Sequence, residues 1–250
     1  MTHTQLSRTK VVPDAGSGMW ASLARVRFDR QRADQAIDLV KTHLVPAFVA
    51  QPGSRYGYWM VDRTTGHAVV VTCWDNREAI GDSRAELGAV RAMVIDELDA
   101  LLTETGIYAV HGCSGDGVPI SGELAWSRVT FVEGLGPDLD DPDNVLFRTA
   151  LRRYEDRAGF LSMCWLVDAP SGNGLSIVTW DTKAACTASE PASRRTRQQV
   201  EQAFGCRIDG VEEVETIAVA APVHDVLDLR EVAGAESPFL PTKGIVQQPT

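Results

Sequence analysis

The chain has 250 residues, of which 44% are hydrophobic and 23% charged, an ordinary composition for a soluble globular protein with a sizeable core. Its formal net charge of −10 argues against a nucleic-acid or anionic-membrane partner, and no run approaches the apolar length of a membrane span. The opening MTHTQLSRTK lacks the apolar core of a signal peptide, and five cysteines form neither a CxxC nor an even framework, so reduced thiols in a cytoplasmic protein are expected.

Residues 1–19 are polar and read as an N-terminal tail. Trp20 to Phe28 alternates and is rich in Leu, Val and Phe, which predicts a strand. In the following RQRADQAIDLVKTHLVPAFVA, Ile37, Val40, Leu44 and Phe48 fall at helical spacing, with Pro46 expected to bend the helix or limit its last turn. Gln51-Pro52-Gly53 ends that helix. Arg55 to Asp62 and His67 to Asp75 predict two strands joined by a short turn. Asn76 is a plausible N-cap for a long helix carrying Leu87, Val90, Val94, Leu98 and Leu101 on one stripe, and Ile107 to His111 predicts a closing strand.

The same order then recurs. Strands are expected near 126–133, 160–168, 174–181 and 213–220, with helices near 143–158 and 183–205; the second copy's helices are the more polar, with Arg194, Arg195 and Arg197. The six tryptophans make the recurrence explicit, because Trp20/Trp126, Trp59/Trp165 and Trp74/Trp180 share one offset of 106 residues. Gly53/Gly159, Asp62/Asp168, Gly66/Gly172 and Asp75/Asp181 follow without a gap. The organisation expected is a tail over 1–19, a first repeat over 20–112, a Gly/Ser-rich linker over 113–125, a second repeat over 126–220 and a C-terminal extension over 221–250.

The order βαββαβ is that of the ferredoxin-like split unit. Strand parity puts Tyr56, Tyr58, Met60, Val69, Val71 and Cys73 on one face of the first hairpin, and Trp59, Val61, Ala68, Val70, Thr72 and Trp74 on the other. Both faces are apolar, so neither is expected to meet water. Helices can cover one face, and the second copy's sheet is the candidate cover for the other.

These residues carry a resemblance. Each copy resembles the dimeric α+β barrel domains, in particular the antibiotic-biosynthesis-monooxygenase (ABM) group. The matching pattern is a helix ending in Pro-Gly, then Trp59-Met60-Val61-Asp62, a short turn, Cys73-Trp74-Asp75 and a helix opening Asn76-Arg77-Glu78-Ala79. The second copy repeats it as Gly159, Trp165-Leu166-Val167-Asp168, Thr179-Trp180-Asp181 and Thr182-Lys183-Ala184-Ala185. The resemblance implies an α+β fold in which two tandem ferredoxin-like repeats close an intramolecular, pseudo-twofold barrel with helices outside. The chain would then be a monomer with an internal pseudo-dimer, or a homodimer of such chains. It also implies a pocket for a small hydrophobic or aromatic molecule. The activity implied is cofactor-independent monooxygenation of an aromatic or polyketide-like substrate. A non-catalytic binding or structural barrel is the alternative, and a haem-degrading oxygenase a third.

Candidate residues concentrate in the first copy. His43, His67 and His111 have Thr149, Asn173 and Ile217 as their shifted partners. His43, near the apolar stripe of the first helix, is a candidate general base or haem ligand, with a half-exposed helix-edge position as the plain alternative. Tyr58 is the second candidate for deprotonation and Arg55 the candidate for steadying an anion, while Trp59, Tyr56 and Trp165 are candidate substrate-contacting residues. Packing of large aromatics in the core explains the tryptophans equally well. The repeated aspartates sit at strand ends, where capping and turn roles are expected. There is no phosphate loop, no HExxH and no metal-spaced Cys/His cluster, so no metal and no cofactor is expected, haem under the haem-oxygenase alternative excepted.

Overall fold

The duplicated pattern folds into two copies of one unit. A computed structural model describes residues 18–114, 125–135, 145–168 and 170–220. Most of the expected tail and linker, and the C-terminal extension, lie outside them.

In the first copy β1 (Trp20–Arg27) leads through a 3₁₀ turn at Arg30–Arg32 into α1 (Ala33–Leu39), a π-helical turn at Val40–Leu44 and α2 (Val45–Val49). The wide turn sits directly before Pro46, which has no amide hydrogen to donate into a regular helix. The hairpin β2 (Ser54–Asp62) and β3 (His67–Trp74) follows, then α3 (Arg77–Asp82), α4 (Arg84–Glu97) and β4 (Leu101–Ser114). The second copy supplies β5 (Ala125–Glu133), α5 (Val145–Tyr154), β6 (Phe160–Asp168), β7 (Asn173–Trp180), α6 (Lys183–Ala188), α7 (Glu190–Phe204) and β8 (Arg207–Ala220).

The eight strands close a barrel in the order β1-β3-β2-β8-β5-β7-β6-β4. Closure depends on β4 and β8, both 14 residues long. The start of β8 pairs with β5 of its own copy, from Arg207 to Thr216, and its end crosses to β2 of the other, from Glu215 to Ala220. β4 does the same, with Leu101 to Ala109 on β1 and Ala109 to Ser114 on β6. Each copy therefore covers the apolar sheet face that the other leaves open, and no sheet edge remains among the described strands.

The hairpin parity read from the sequence is the one observed. Tyr58, Met60, Val69, Val71 and Cys73 face the barrel interior with Leu166, Leu175 and Ile177. Trp59, Val61 and Trp74 face outward under the first copy's helices, against Phe48, Ile37 and Val94. Trp165, Val167 and Trp180 form the matching layer of the second copy, with Phe147, Tyr154 and Phe160. The offset of the tryptophans extends to their partners: Arg77 lies over Trp20 at 5.1 Å and Lys183 over Trp126 at 4.5 Å.

Three expectations are corrected. The long helix after Asn76 is broken at Ser83 into α3 and α4, and it ends before Asp99, whose φ of 49° no helix accommodates. Leu101, expected on its stripe, instead opens β4 and is 53% exposed. Cys113, expected in the linker and reduced, lies in β4 directly opposite Cys164 of β6 and is joined to it as a disulfide, with Cα atoms 4.1 Å apart. Cys73, Cys186 and Cys206 remain free and buried. No helix among the described residues is long and apolar enough to cross a membrane.

Candidate functional site

The outer layer of the second copy is not packed as the first copy's is. In the first copy the ring of Trp59 lies flat over Gly57: a Cβ built there would sit 2.3 Å from Trp59 Cη2 and 3.1 Å from Phe48 Cε1. Phe48 meets both Trp59 and Trp74 edge-on, at 5.5 and 5.2 Å between ring centres, and fills the space under the helices. In the second copy Met163 stands where Gly57 does. The ring of Trp165 lies instead beside Gly174 on β7, whose Cβ would be 3.2 Å from Trp165 Cη2. Gly174 is opposite Val167, so Trp165 leans away from Met163 along the strand.

That displacement leaves a cavity of about 40 Å³ between the outer face of β5, β6 and β7 and helices α5 and α7. Phe147, Ala150, Met163, Trp165, Val178 and Val200 supply its apolar walls. Thr130, Ser176, Ser193 and Thr196 add hydroxyls, Tyr154 a phenol, and Arg128 and Arg197 two guanidiniums.

Arg128, on β5, is the anchor of this layer, with a side chain only 1% exposed. Its Nη1 donates to Ser189 Oγ at 2.5 Å and Ser193 Oγ at 2.7 Å, and its Nη2 donates to the Cys186 carbonyl at 2.8 Å and to Glu213. Its Nε lies 3.4 Å from Glu190 Oε2, within ion-pair range, but has no hydrogen-bond acceptor. Arg197, on α7, donates through Nη2 to Glu190 Oε1 at 2.7 Å, while its buried Nη1 has no acceptor. Burial pushes the Glu190 carboxyl up, but the hydrogen bond from Arg197 and the charges of Arg197, Arg128 and Arg194 outweigh it and hold the group below the ordinary glutamate value. Tyr154 donates to Ser193 Oγ at 3.3 Å and meets Trp180 edge-on.

The residues singled out in the sequence fall in five separate places. His43 lies in the π-helical turn and is exposed to solvent on the outside of the first copy. Tyr58 points into the barrel core, 6% exposed, with its hydroxyl 3.6 Å from Cys164 Sγ. Burial pushes its phenol far above the ordinary tyrosine value, with smaller contributions from Cys73 and Tyr56, so it is no base near neutral pH. Tyr56 packs at the margin of the same core. Arg55 forms an ion pair with Asp75, both side chains being about two-fifths exposed. Trp59 is sealed under the first copy's helices, and of the six residues named only Trp165 lines the cavity. The recurring aspartates are structural where their contacts are seen: Asp62 accepts from the Thr64 amide at 2.8 Å and the Thr65 hydroxyl at 2.7 Å, closing its turn.

Arg128, Arg197, Ser193 and Met163 were not singled out by the sequence reading, although a signal for them exists. At the 106-residue offset, Arg128 replaces Ser22, Ser176 replaces Val70, Ser193 replaces Leu87 and Thr196 replaces Val90. Polar residues thus stand on a face that the first copy keeps apolar.

No family model matches the chain. Two uncharacterized proteins of Mycobacterium tuberculosis, from strains CDC 1551 / Oshkosh and H37Rv, are each 26% identical over 179 residues, spanning 70% of this chain and 78% of theirs. Among solved structures, the fold is similar to a proposed monooxygenase from Fusobacterium nucleatum, with a TM-score of 0.60 at 10% identity over 81% of this chain and 94% of that one. A proposed monooxygenase from Lactobacillus acidophilus has a TM-score of 0.52 at 11% identity, over 82% and 96% of the two chains. An anthrone oxidase-like protein has a TM-score of 0.52 at 12% identity, over 84% and 96%. The chain thus shares the α+β barrel fold of these proteins, with both halves of its barrel in one polypeptide.

Proposed function

We propose that this chain is a small-molecule-binding protein whose ligand site is the cavity of the second copy, and that its reaction is cofactor-independent oxygenation of a compact phenolic or enolic compound. The observation that carries the reading is the asymmetry of the two copies. One duplicated layer is packed solid by Phe48 and Trp59, and the other is held open over a buried arginine. An apolar cavity with a few convergent polar groups is the usual form of a small-molecule site. The solved structures of like fold that are named as monooxygenases or anthrone oxidase-like support the choice of reaction.

In this reaction Trp165, Phe147 and Met163 would hold the ring of the substrate and exclude water. The Arg128 guanidinium would lower the cost of forming the phenolate or enolate. Dioxygen would then oxidise the activated CH₂ carbon to a carbonyl, one oxygen atom entering the product and the other leaving as water. A cavity of about 40 Å³ is well below the roughly 300–1,000 Å³ of drug-sized sites, which favours a compact substrate over a multi-ring polyketide. The same volume does not fit haem.

One observation favours non-catalytic binding as the second reading: among the described residues no histidine or carboxylate lines the cavity to take a proton. Oxygen uptake separates the two. A panel of single-ring phenols and cyclic enols should give substrate-dependent oxygen consumption that Arg128→Met abolishes. Thermal stabilisation by the same compounds without oxygen consumption would establish the binding protein instead, and neither effect would refute the site.

A further inference from the structure

From two buried guanidinium N–H groups without a hydrogen-bond acceptor, on Arg128 and Arg197, both of which line the cavity, we infer that its ligand is an organic acid, a compact molecule whose carboxylate is held between these two arginines and whose apolar part lies against Trp165, Met163 and Phe147. The inference rests on the cavity being the ligand site and adds the chemical class of what fills it.

Buried donors in folded proteins almost always have an acceptor. Of the four that lack one among the described residues, two, Arg128 Nε and Arg197 Nη1, belong to residues lining one cavity. Every other donor nitrogen given a partner on these side chains is used: Ser189, Ser193, Cys186 and Glu213 take those of Arg128, and Glu190 takes one from Arg197. The missing group is therefore an acceptor, and two donors on separate residues match the two oxygens of one carboxylate.

Both arginines belong to one ion-pair network: Glu190 is shared by Arg128, Arg197 and the exposed Arg194, and Glu213 pairs with Arg128. Among the described residues no carboxylate lines the cavity. The opposite wall is apolar and aromatic, which suits the hydrocarbon part of an acid and gives inorganic anions nothing to bury. The first copy carries none of this: Ser22 stands at the position of Arg128, and its hydroxyl is spent on Thr72 at 2.7 Å.

The test is a set of matched pairs measured by calorimetry on the full chain: benzoate with benzamide, and 3-methylbutanoate with its amide, alongside sodium sulfate. The acids should bind at least tenfold more tightly than the amides. Sulfate should not compete. In Arg197→Gln, which keeps the helix and loses one donor, the preference for acid over amide should fall at least fivefold. Arg207→Gln, an exposed arginine paired with Glu133, should leave it unchanged and controls for net charge. A crystal structure with benzoate should place its oxygens on Arg128 Nε and Arg197 Nη1. Amides binding as well as acids would overturn the ligand class while leaving the cavity a binding site, and so would waters found on both nitrogens with the ligand elsewhere. Binding of no member of the set would overturn the organic-acid class, and the cavity itself falls as a site only if the phenols and enols also give neither stabilisation nor oxygen consumption. If Arg197→Gln fails to fold, Arg197→Lys serves in its place, because it keeps the charge and loses the two-oxygen geometry.

Discussion

Trp59 and Trp165 occupy equivalent strand positions, yet their rings lie in opposite directions, each beside a glycine that the other copy lacks. Trp59 covers Gly57, where the second copy has Met163, and Trp165 lies beside Gly174, where the first copy has Ala68. The two glycines therefore decide which copy is closed.

Exchanging them should exchange the states. Gly57→Met puts a Cβ within 2.3 Å of the Trp59 ring, which is itself held by Phe48, so the substitution should cost about 1–3 kcal/mol by overpacking. Met163→Gly should let Trp165 fall back over the vacated position and close the cavity. Urea denaturation measures the first effect. A crystal structure of Met163→Gly with Trp165 still beside Gly174 would show that the glycine does not set the ring.

A second prediction concerns a broken hydrogen bond. Trp74 Nε1 donates to Thr72 Oγ1 at 3.0 Å, but Val178 stands at the corresponding place in the second copy and the buried Trp180 Nε1 has no acceptor. Val178→Thr should restore the bond and stabilise the protein by about 1 kcal/mol. A lowered urea midpoint would contradict it.

The Cys113–Cys164 bridge spans 51 residues and ties β4 of the first copy to β6 of the second. Closing a loop of that length is worth about 4 kcal/mol on the chain-entropy estimate. Denatured without reductant, the protein should expose three titratable thiols rather than five, and reductant should lower its thermal midpoint. Five reactive thiols would show that the pair is reduced.

Acid should weaken the α7 network in a defined window. Because the Glu190 pKa is held down in the folded state, its contribution is fully present above the ordinary glutamate value, near pH 4.3, and is lost as pH falls through the folded value. Glu190→Gln should therefore be less stable than the parent at pH 7, with the difference shrinking below about pH 4. A difference independent of pH would assign the effect to packing.

The sequence by itself determined the architecture, because its signals are local or repeat at a fixed offset. Three tryptophan pairs, the paired glycines at 53 and 159, and the two-faced apolar hairpins suffice to define two βαββαβ units that must cover each other. Period-two alternation assigned Tyr58 and Trp59 to opposite sides of the sheet without any structure. The full lengths of β4 and β8 were not legible, since their first halves alternate between exposed and half-buried residues and their second halves pair across the pseudo-twofold axis. The candidate site was legible only in Trp165. Residue chemistry drew attention to His43, Tyr58 and Arg55, which the fold distributes over an outer helix, the barrel interior and a strand end. What makes Arg128 a candidate site residue is burial beside a space that no side chain fills. That depends on where a tryptophan ring two strands away can lie, and only tertiary packing decides it.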